Sequence, residues 1–495
     1  MWSEDRLLIG GSFVPAATGA TFENINPATE QVIGVAADAS TADMDAAIGA
    51  ARRAFDETSW STDIALRVRV LRQFHEGLVR HLEELRETTI AEVGAPRALT
   101  SGAQLETPIE GVTWVADLAE RYEWSEDLGV ARPYGIASHR YATREPVGVV
   151  GAISPWNFPV QINLAKIAPA LAAGNTVVLK PAPDTPYTAT LLGRILTDET
   201  DIPDGVINVV TSSGHEVGQL LAEDPRVDLV SLTGSTQTGR RVMAAGAATL
   251  KRLFLELGGK SAAVVLDDAD VAGAAASTAF QIMTHAGQGC AITTRLLLPR
   301  ERFDEGLAAL IDTMGALTFG DPSDPSHLMG PLISARQRER VLGYIATGVA
   351  EGATIALGGG VPADLPVGYY VEPTVLVDVD PDSTVAQEEI FGPVIVVLPY
   401  DGGDDGAVAA ANNSVYGLSG AVYATSVERA LAVAARIRTG TVSINGALWY
   451  GADVPFGGSK QSGIGREMGR AGFEEYLEIK SIAVPPAKVA KEGAR

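Results

Sequence analysis

The chain has 495 residues, 46% of them hydrophobic and 20% charged, a composition that predicts two to four folded domains because a single core stops growing near about 250 to 300 residues. The net charge of −23 disfavours nucleic acid as a partner, since contact with phosphates needs a basic surface. One cysteine cannot form an internal disulfide, six scattered histidines predict no metal site, and no apolar run is long enough to span a membrane. We therefore expect a cytoplasmic protein that binds neither nucleic acid nor membrane nor metal.

The N-terminal third is predicted to begin with a strand segment, Leu7 to Phe22, and to continue with helical stretches over Met44 to Glu57 and Ile64 to Glu92. From Val147 onward, short β-branched runs alternate with amphipathic helices, which is typical of a parallel α/β sheet. The predicted strands of this sheet are Thr176 to Lys180, Val206 to Val210, Val227 to Leu232 and Arg252 to Leu257.

A second α/β series follows and predicts a second domain. Its predicted helices cover Asp270 to Ala286, Phe303 to Met314 and Val427 to Arg438, and its predicted strands cover Arg295 to Leu298 and Thr441 to Asn445.

The single cysteine, Cys290, follows Gly287, Gln288 and Gly289, and these small neighbours let the backbone approach a ligand. A lone cysteine in this setting is a candidate nucleophile. The alternative is a buried apolar cysteine without a chemical role.

Two further segments carry groups that would suit such a nucleophile. Glu256 ends a predicted strand just before the pair Gly258 and Gly259, so its carboxylate can face a cleft; the alternative is a surface salt bridge with Lys260. In the segment 154–159, two prolines fix the backbone around Asn157, whose side-chain amide can donate to an oxyanion; the alternative is a rigid loop that Asn157 caps.

Two more segments suit a nucleotide. Residues 228–239 predict a strand, a glycine-containing turn and the start of a helix, whose free N–H groups favour a pyrophosphate, although the G-x-G-x-x-G fingerprint is absent. Lys180, at the end of a predicted strand, can reach ribose hydroxyls or a phosphate; the alternative is a solvated lysine.

These segments, together with Glu388 to Pro393 and Pro455 to Gly463, resemble in sequence and order the motifs of the aldehyde dehydrogenase superfamily. The similarity extends from about Asn26 to Ile482. The resemblance implies an α/β fold with a Rossmann-like parallel-sheet cofactor domain, a second α/β catalytic domain and a small β oligomerisation arm. The implied bounds are 1–126 and 147–257 for the cofactor domain, 258–457 for the catalytic domain, and 127–146 and 477–486 for the arm.

The resemblance further implies that the protein oxidises an aldehyde to a carboxylic acid with NAD(P). Cys290 would attack the aldehyde, the Asn157 side chain and the Cys290 N–H would hold the oxyanion, and Glu256 would activate both the thiol and the water that hydrolyses the thioester. Lys166 falls at a family position that supports this proton traffic. Relatives that pass the acyl group to coenzyme A tend to lack this glutamate, so hydrolysis is favoured over an acylating semialdehyde dehydrogenase. A catalytically silent nucleotide-binding scaffold is disfavoured because neither Cys290 nor Glu256 would be needed for binding alone.

NAD is the expected cofactor, with NADP as an alternative. Many NAD-preferring members have a glutamate where this chain has Pro183, so the resemblance predicts weaker discrimination against NADP. The residues at family cofactor positions are Ile153, Ser154, Trp156, Asn157, Lys180, Ala182, Pro183, Gly214, Gly218, Thr233, Gly234, Ser235, Leu257, Gly258, Gln337, Glu389 and Phe391.

The substrate pocket is predicted to have aromatic walls, which suit an apolar aldehyde; the alternative is that these rings belong to the ordinary core. No arginine stands at an obvious pocket position to pair with an anionic substrate, but a loop residue such as Arg295 could do so. Ala165 is expected to line the pocket from the same helix as Ile162. The residues near family pocket positions are Phe158, Ile162, Trp449, Tyr450 and Phe456.

The segments Asp127 to Arg144 and Leu477 to Val484 resemble the family's oligomerisation arm, which implies a homodimer or homotetramer. The alternative is a surface hairpin that closes on its own subunit.

Overall fold

The computed structural model describes residues 2–486, which form two large sheets, two small sheets and the helices that cover them. The strands are β1 Leu7–Ile9, β2 Ser12–Val14, β3 Thr21–Ile25, β4 Val32–Ala37, β5 Ser125–Ala131, β6 Ser138–Pro146, β7 Val149–Ile153, β8 Thr176–Lys180, β9 Ile207–Val209, β10 Leu229–Thr233, β11 Arg252–Glu256, β12 Ser261–Val265, β13 Thr293–Pro299, β14 Thr354–Leu357, β15 Thr374–Val377, β16 Val394–Tyr400, β17 Gly420–Tyr423, β18 Ser443–Ile444, β19 Gly463–Ile464 and β20 Leu477–Val484.

The helices connect successive strands and pack on the faces of the large sheets. They are α1 Thr41–Glu57, α2 Ile64–Arg80, α3 Leu82–Val93, α4 Arg97–Thr100, α5 Glu106–Arg121, α6 Pro159–Ala173, α7 Pro186–Glu199, α8 Glu216–Glu223, α9 Thr236–Gly246, α10 Val271–Met283, α11 Phe303–Ala316, α12 Ala335–Ala350, α13 Thr384–Gln387, α14 Gly403–Asn412, α15 Val427–Ala434 and α16 Gly469–Glu474.

The first large sheet has the order β19-β11-β10-β7-β8-β9-β1-β2, with β7 to β11 parallel and with β1, β2 and β19 antiparallel to their neighbours. Alternate residues of each strand enter different cores, as the pleat requires. Val177 and Leu179 pack with α2, α5, α6 and α7 on one face, and Val178 packs with α1 and α8 on the other. Both faces are covered, which explains why these strands are apolar throughout.

The chain order around β7 places a cleft at one end of this sheet. β7 lies between β8 and β10, so the connection after β7 leaves on one side and the later connection to β10 returns on the other. In an open parallel sheet, ligands bind at the carboxyl ends of the strands where the order reverses in this way.

The second large sheet has the order β14-β15-β16-β13-β12-β17-β18 and is parallel except for β14. Its core is a separate apolar cluster of these strands with α10, α11, α12, α14 and α15. The chain then returns to the first sheet, where Gly463 and Ile464 of β19 pair with Glu256 and Leu255 of β11.

A three-stranded antiparallel sheet, β20-β6-β5, joins residues 125–146 to the end of the described chain, and β3 and β4 form a separate hairpin. The predicted fold class, with a Rossmann-like parallel sheet, a second α/β unit and a small β arm, is confirmed. The domain bounds and the role of the arm in assembly stay predictions.

The structure divides two segments that the sequence predicts as continuous. The strand segment from Leu7 to Phe22 turns back at Gly10 and Gly11, whose φ values of 61° and 85° let β1 and β2 pair as a hairpin. The helical stretch from Ile64 to Glu92 breaks at His81, whose imidazole lies 2.9 Å from Glu84 and 2.6 Å from Glu199.

Within residues 2–486, no helix combines the length and apolar character needed to cross a bilayer. In the same range, no group of three or more His, Cys, Asp or Glu side chains is placed to hold a metal ion.

Candidate active site

Cys290 lies in the loop between α10 and β13, where the backbone is held in an unusual conformation. His285 and Ala286 have φ values of 50° and 52°, and Gly287 has 69°. A Cβ at Gly287 would lie 2.0 Å from the carbonyl oxygen of Gly392, so only glycine fits there. The loop therefore fixes the position of the half-buried thiol at the wall of a cavity of about 290 Å³.

Glu256 ends β11 and lines the same cavity. Its side chain is buried, and β10 and β19 flank it through the pairs Thr233–Glu256 and Glu256–Gly463. The alternative of a surface ion pair with Lys260 is wrong, because Lys260 is also buried and its Nζ has no hydrogen-bond partner within residues 2–486.

Burial raises the pKa of Glu256 well above its usual range, and the nearby carboxylate of Glu467 raises it further. Burial also raises the pKa of the Cys290 thiol, as do the carboxylates of Glu256 and Glu389. The local field therefore opposes a thiolate. A cysteine can be activated by a favourable electrostatic field or by a base. Because the field here opposes the thiolate, activation of Cys290 requires a base.

Asn157 connects the oxyanion position to the cysteine loop. Its buried side chain lines the cavity, and its Nδ2 donates to the Gln288 carbonyl at 2.9 Å, two residues before the nucleophile. The Asn157 carbonyl accepts from Nε2 of buried Gln104 at 2.8 Å. These two contacts hold the amide at the cavity wall beside Cys290, where an oxyanion would develop.

Lys166, on α6, forms a buried ion pair that the sequence does not reveal. Its Nζ lies 2.7 Å from Glu467 Oε1 and 3.0 Å from Ser231 Oγ, and the two charged side chains are 0% and 5% exposed. Glu467 also lines the cavity, and its backbone pairs with Phe456 of the substrate wall. A lysine buried in a core, as Lys166 is, needs a charged partner. That requirement is the only feature of the sequence that points to a residue such as Glu467.

The cleft at the carboxyl ends of β7, β8 and β10 brings many of the predicted cofactor residues together. Lys180 ends β8, is 7% exposed, and its Nζ donates to the Pro181 and Ser212 carbonyls at 3.1 and 3.4 Å. Burial lowers its pKa to about 8 against the opposing effect of Asp184 and Asp38. The alternative of a solvated lysine is wrong.

Small residues leave room beside this lysine. A Cβ at Gly218 of α8 would lie 3.3 Å from Lys180 Cδ, and one at Gly234 would meet only Leu232, at 3.6 Å. Ser235 caps α9 by accepting from Thr238 N at 3.1 Å. The helix N-terminus and the bare backbone at Gly234 suit a phosphate.

Other predicted cofactor residues lie along the same cleft. The buried hydroxyls of Ser154 and Thr233 have no partner within the described residues, so each can bond to a ligand. Gly214 N donates to Ser212 Oγ at 3.2 Å. The side chain of Ile153 lies near Gly218, and Ala182 and Pro183 follow the end of β8. Leu257 follows β11, and its N donates to Ser462 O at 2.9 Å.

The far end of the cleft lies against the second sheet. Glu389 is half-buried, and its Oε1 accepts from Gly259 N at 2.9 Å. A Cβ at Gly258 would lie 2.5 Å from Glu389 Oε2, so that position must stay small. Burial raises the pKa of Glu389 to about 7.

Two aromatic rings meet at this end: Trp156 and Phe391 lie edge to face with centroids 5.3 Å apart. The side-chain nitrogen of Gln337 donates to the Phe391 carbonyl at 2.8 Å. Gln337 therefore holds the Phe391 loop rather than extending its amide nitrogen into the cleft. The buried cation, the unpartnered hydroxyls, the free helix N-terminus and this aromatic pair fit the ribose, pyrophosphate and ring parts of a dinucleotide.

The five predicted pocket residues Phe158, Ile162, Trp449, Tyr450 and Phe456 all line the cavity with Cys290. Ala165 does not; it lines a neighbouring groove with Tyr450.

The expectation for Arg295 is wrong. It lies in β13 rather than in a loop, is 3% exposed, and does not line the cavity. Its guanidinium donates to the carbonyls of Lys260, Ala410, Ala411 and Asn413 at 2.9 to 3.2 Å, so all of its groups are committed to the end of α14 and to the loop after Gly259.

Comparisons with known proteins agree with this geometry. The family model "Aldehyde dehydrogenase family" matches residues 13–482. The chain is 42% identical to 3-succinoylsemialdehyde-pyridine dehydrogenase of a Pseudomonas species over 96% of this chain and 97% of that protein. It is 39% identical to 2-hydroxymuconic semialdehyde dehydrogenase of Pseudomonas sp. strain CF600 over 97% of this chain and 99% of that protein.

Solved structures give the same result. A Mycobacterium tuberculosis aldehyde dehydrogenase complexed with NAD+ superposes with a TM-score of 0.94 at 42% identity, covering 98% of this chain and 99% of that chain. A betaine aldehyde dehydrogenase from Staphylococcus aureus in complex with NAD+ gives a TM-score of 0.93 at 37% identity, covering 98% and 95%.

Proposed function

The chain belongs to the aldehyde dehydrogenase family and is an NAD-dependent oxidoreductase that converts aldehydes to carboxylic acids; we propose that its reaction proceeds through a thioester on Cys290 that is hydrolysed with Glu256 as the base. The observation that supports this assignment is the presence of a thiol and a buried carboxyl on the wall of one cavity.

The first step is attack of the Cys290 sulfur on the aldehyde carbon. Because the surrounding carboxylates raise the thiol pKa, the proton must leave as the C–S bond forms, and the carboxylate of Glu256 is the acceptor on the same wall. The Asn157 amide and the Cys290 N–H donate to the oxyanion of the thiohemiacetal. Bound NAD+ would supply the hydride acceptor for this carbon, and loss of the hydride would leave a thioester on Cys290.

In the second step, Glu256, which has first passed the thiol proton to solvent, takes a proton from water as the water oxygen attacks the thioester carbon. The C–S bond then breaks, the acid leaves, and the thiol regains a proton. The raised pKa of Glu256 makes it a stronger base than an exposed carboxylate. Glu467 lines the same cavity as Glu256 and is paired with Lys166. This ion pair therefore contributes to the electrostatic environment of the base.

Formation of free acid without coenzyme A tests this proposal against its two rivals. The wild-type protein with NAD+ and an aldehyde should release one acid per NADH. An absolute requirement for coenzyme A would instead identify an acylating enzyme, and binding of NADH without turnover of any aldehyde would identify a silent scaffold.

We also propose that the chain assembles as a homodimer or homotetramer through the sheet β20-β6-β5. Apolar side chains are exposed on this sheet and its turn, which monomeric proteins usually avoid. They are Leu128 at 46%, Val130 at 58%, Ile136 at 71% and Ile479 at 65%. Sedimentation equilibrium tests the proposal: a monomer at micromolar concentration would contradict it. Location in the cytoplasm stays a prediction.

A further inference from the structure

The cavity that contains Cys290 carries a distinctive set of charges. Glu256 and Glu467 line it, but within the described chain no lysine, arginine or histidine does. Lys166, behind this wall, is paired with Glu467, and Arg295 donates to four backbone carbonyls. A substrate carboxylate entering here would meet the carboxyl groups of Glu256 and Glu467, with no cation on the wall to pair with it.

The remaining walls are flat and apolar. The rings of Trp449 and Phe456 are stacked with centroids 5.2 Å apart and an interplanar angle of 5°. Tyr450 lies edge to face with Trp449 at 6.2 Å, and Phe158 forms another part of the wall. Parallel ring faces of this kind favour a planar group that stacks or slides along them.

The cavity wall also carries a polar side chain that has no role in the proposed chemistry. Gln281, on α10, is half-buried and accepts from Thr293 Oγ1 at 3.0 Å through its Oε1. That bond fixes the amide and keeps its NH2 as a donor to the cavity. Gln281 is therefore a place where a change of charge would act on the distal end of a substrate rather than on the chemistry.

We propose that the enzyme selects a neutral aldehyde with a planar aromatic body and rejects aldehydes that carry a distal carboxylate. This inference rests on the proposed function and adds the class of substrate. Rejection follows from the cost of placing an unpaired carboxylate beside like charges in a desolvated cavity.

The test uses two aldehydes of nearly equal shape that differ in charge, 4-formylbenzamide and 4-formylbenzoate, with benzaldehyde and hexanal as references. The wild-type kcat/KM should be at least about 100-fold higher for the amide than for the carboxylate. Equal values, or a preference for the carboxylate, would overturn the inference.

Two variants of Gln281 separate charge from shape. Gln281→Arg places a cation on the wall. It should lower the ratio of kcat/KM for 4-formylbenzamide to kcat/KM for 4-formylbenzoate by about tenfold or more. Gln281→Met introduces a side chain of similar length that carries no charge. It should leave the ratio of kcat/KM for the two aldehydes as in wild type. If both variants change this ratio alike, or if Gln281→Arg does not lower it, charge on this wall does not determine which aldehyde the enzyme prefers.

A further variant tests the aromatic part. Trp449→Leu should raise KM for benzaldehyde by about fivefold, because stacking is worth about 1 kcal/mol beyond area, while changing KM for hexanal much less. Equal changes for both aldehydes would refute a role for the ring face. Failure of the wild type to oxidise any of the four aldehydes, hexanal included, would count against the proposed function itself; oxidation of hexanal with no selection by charge would count only against this inference.

Discussion

Replacing Glu467 with glutamine is expected to destabilise the protein by about 3 to 5 kcal/mol, because it leaves a buried ammonium without its counter-ion. The side chain of Lys166 is 0% exposed and its Nζ lies 2.7 Å from Glu467 Oε1, so water cannot take the place of the carboxylate. The contacts that remain are Ser231 Oγ at 3.0 Å and the face of Phe254 at 5.3 Å. A cation over a ring contributes about 0.5 to 2 kcal/mol, which does not offset the loss.

The assay is urea unfolding of the cofactor-free protein, followed by tryptophan fluorescence. The control is the double variant Lys166→Met with Glu467→Leu, which removes both charges and fills the space with apolar groups. Its free energy of unfolding should lie within about 1.5 kcal/mol of wild type, since buried pairs often exchange for apolar residues at little cost. A Glu467→Gln protein within about 1 kcal/mol of wild type would refute the reasoning, because the pair would then contribute as little as an exposed one.

The same substitution is expected to shift the pH dependence of thioester hydrolysis. The Glu467 carboxylate raises the pKa of Glu256, and Lys166 lowers it. Burial continues to raise the pKa of Glu256, but without the Glu467 carboxylate this pKa falls, and the basic form of Glu256 appears at lower pH. The acidic limb of kcat should therefore move to lower pH, and a limb that stays in place or moves upward would contradict the electrostatic coupling of the two carboxyls.

Three further predictions concern the nucleophile, the base and the cofactor. Cys290→Ala should abolish NAD+ reduction with every aldehyde while the dissociation constant of NADH, from fluorescence titration, stays within about threefold; substantial turnover would remove Cys290 from the mechanism. Glu256→Gln should give a stopped-flow burst of NADH followed by slow acid release, since an amide cannot act as the base for water, and a variant equal to wild type would exclude this role. Pro183→Glu should raise the preference for NAD over NADP in kcat/KM by about tenfold, toward the lower end of what a charge-assisted hydrogen bond supplies, because Asp38 and Asp184 already act on Lys180; a wild type that rejects NADP by about four powers of ten would show that another residue sets the choice.

The parallel sheets and the local motifs were predictable because each depends on a short stretch of chain. Val177 to Leu179 are apolar on both faces, and a glycine pair directly follows the strand that carries Glu256. Such runs and breaks indicate buried strands and their ends without knowledge of distant contacts.

The features that the sequence did not reveal all depend on contacts between distant segments. Glu467 meets Lys166 across 301 positions, and no local pattern indicates that pairing. From the sequence alone Arg295 could pair with an anionic substrate, but its guanidinium donates to backbone carbonyls as far along the chain as Asn413, which no local pattern indicates. Asp38, directly after β4 of the separate hairpin, acts on Lys180 at the end of β8, far along the chain.

The charges of the cavity also bear on the end of the reaction. The aldehyde group of a substrate carries no charge, but the product is a carboxylate formed beside Glu256 and Glu467, on a wall with no lysine, arginine or histidine in the described chain. The like charges that oppose an anionic substrate therefore oppose the product as well, and only the product is generated inside. The same arrangement that raises the pKa of the Cys290 thiol thus favours departure of the acid, and a cation placed there for substrate recognition would hold the product in the site.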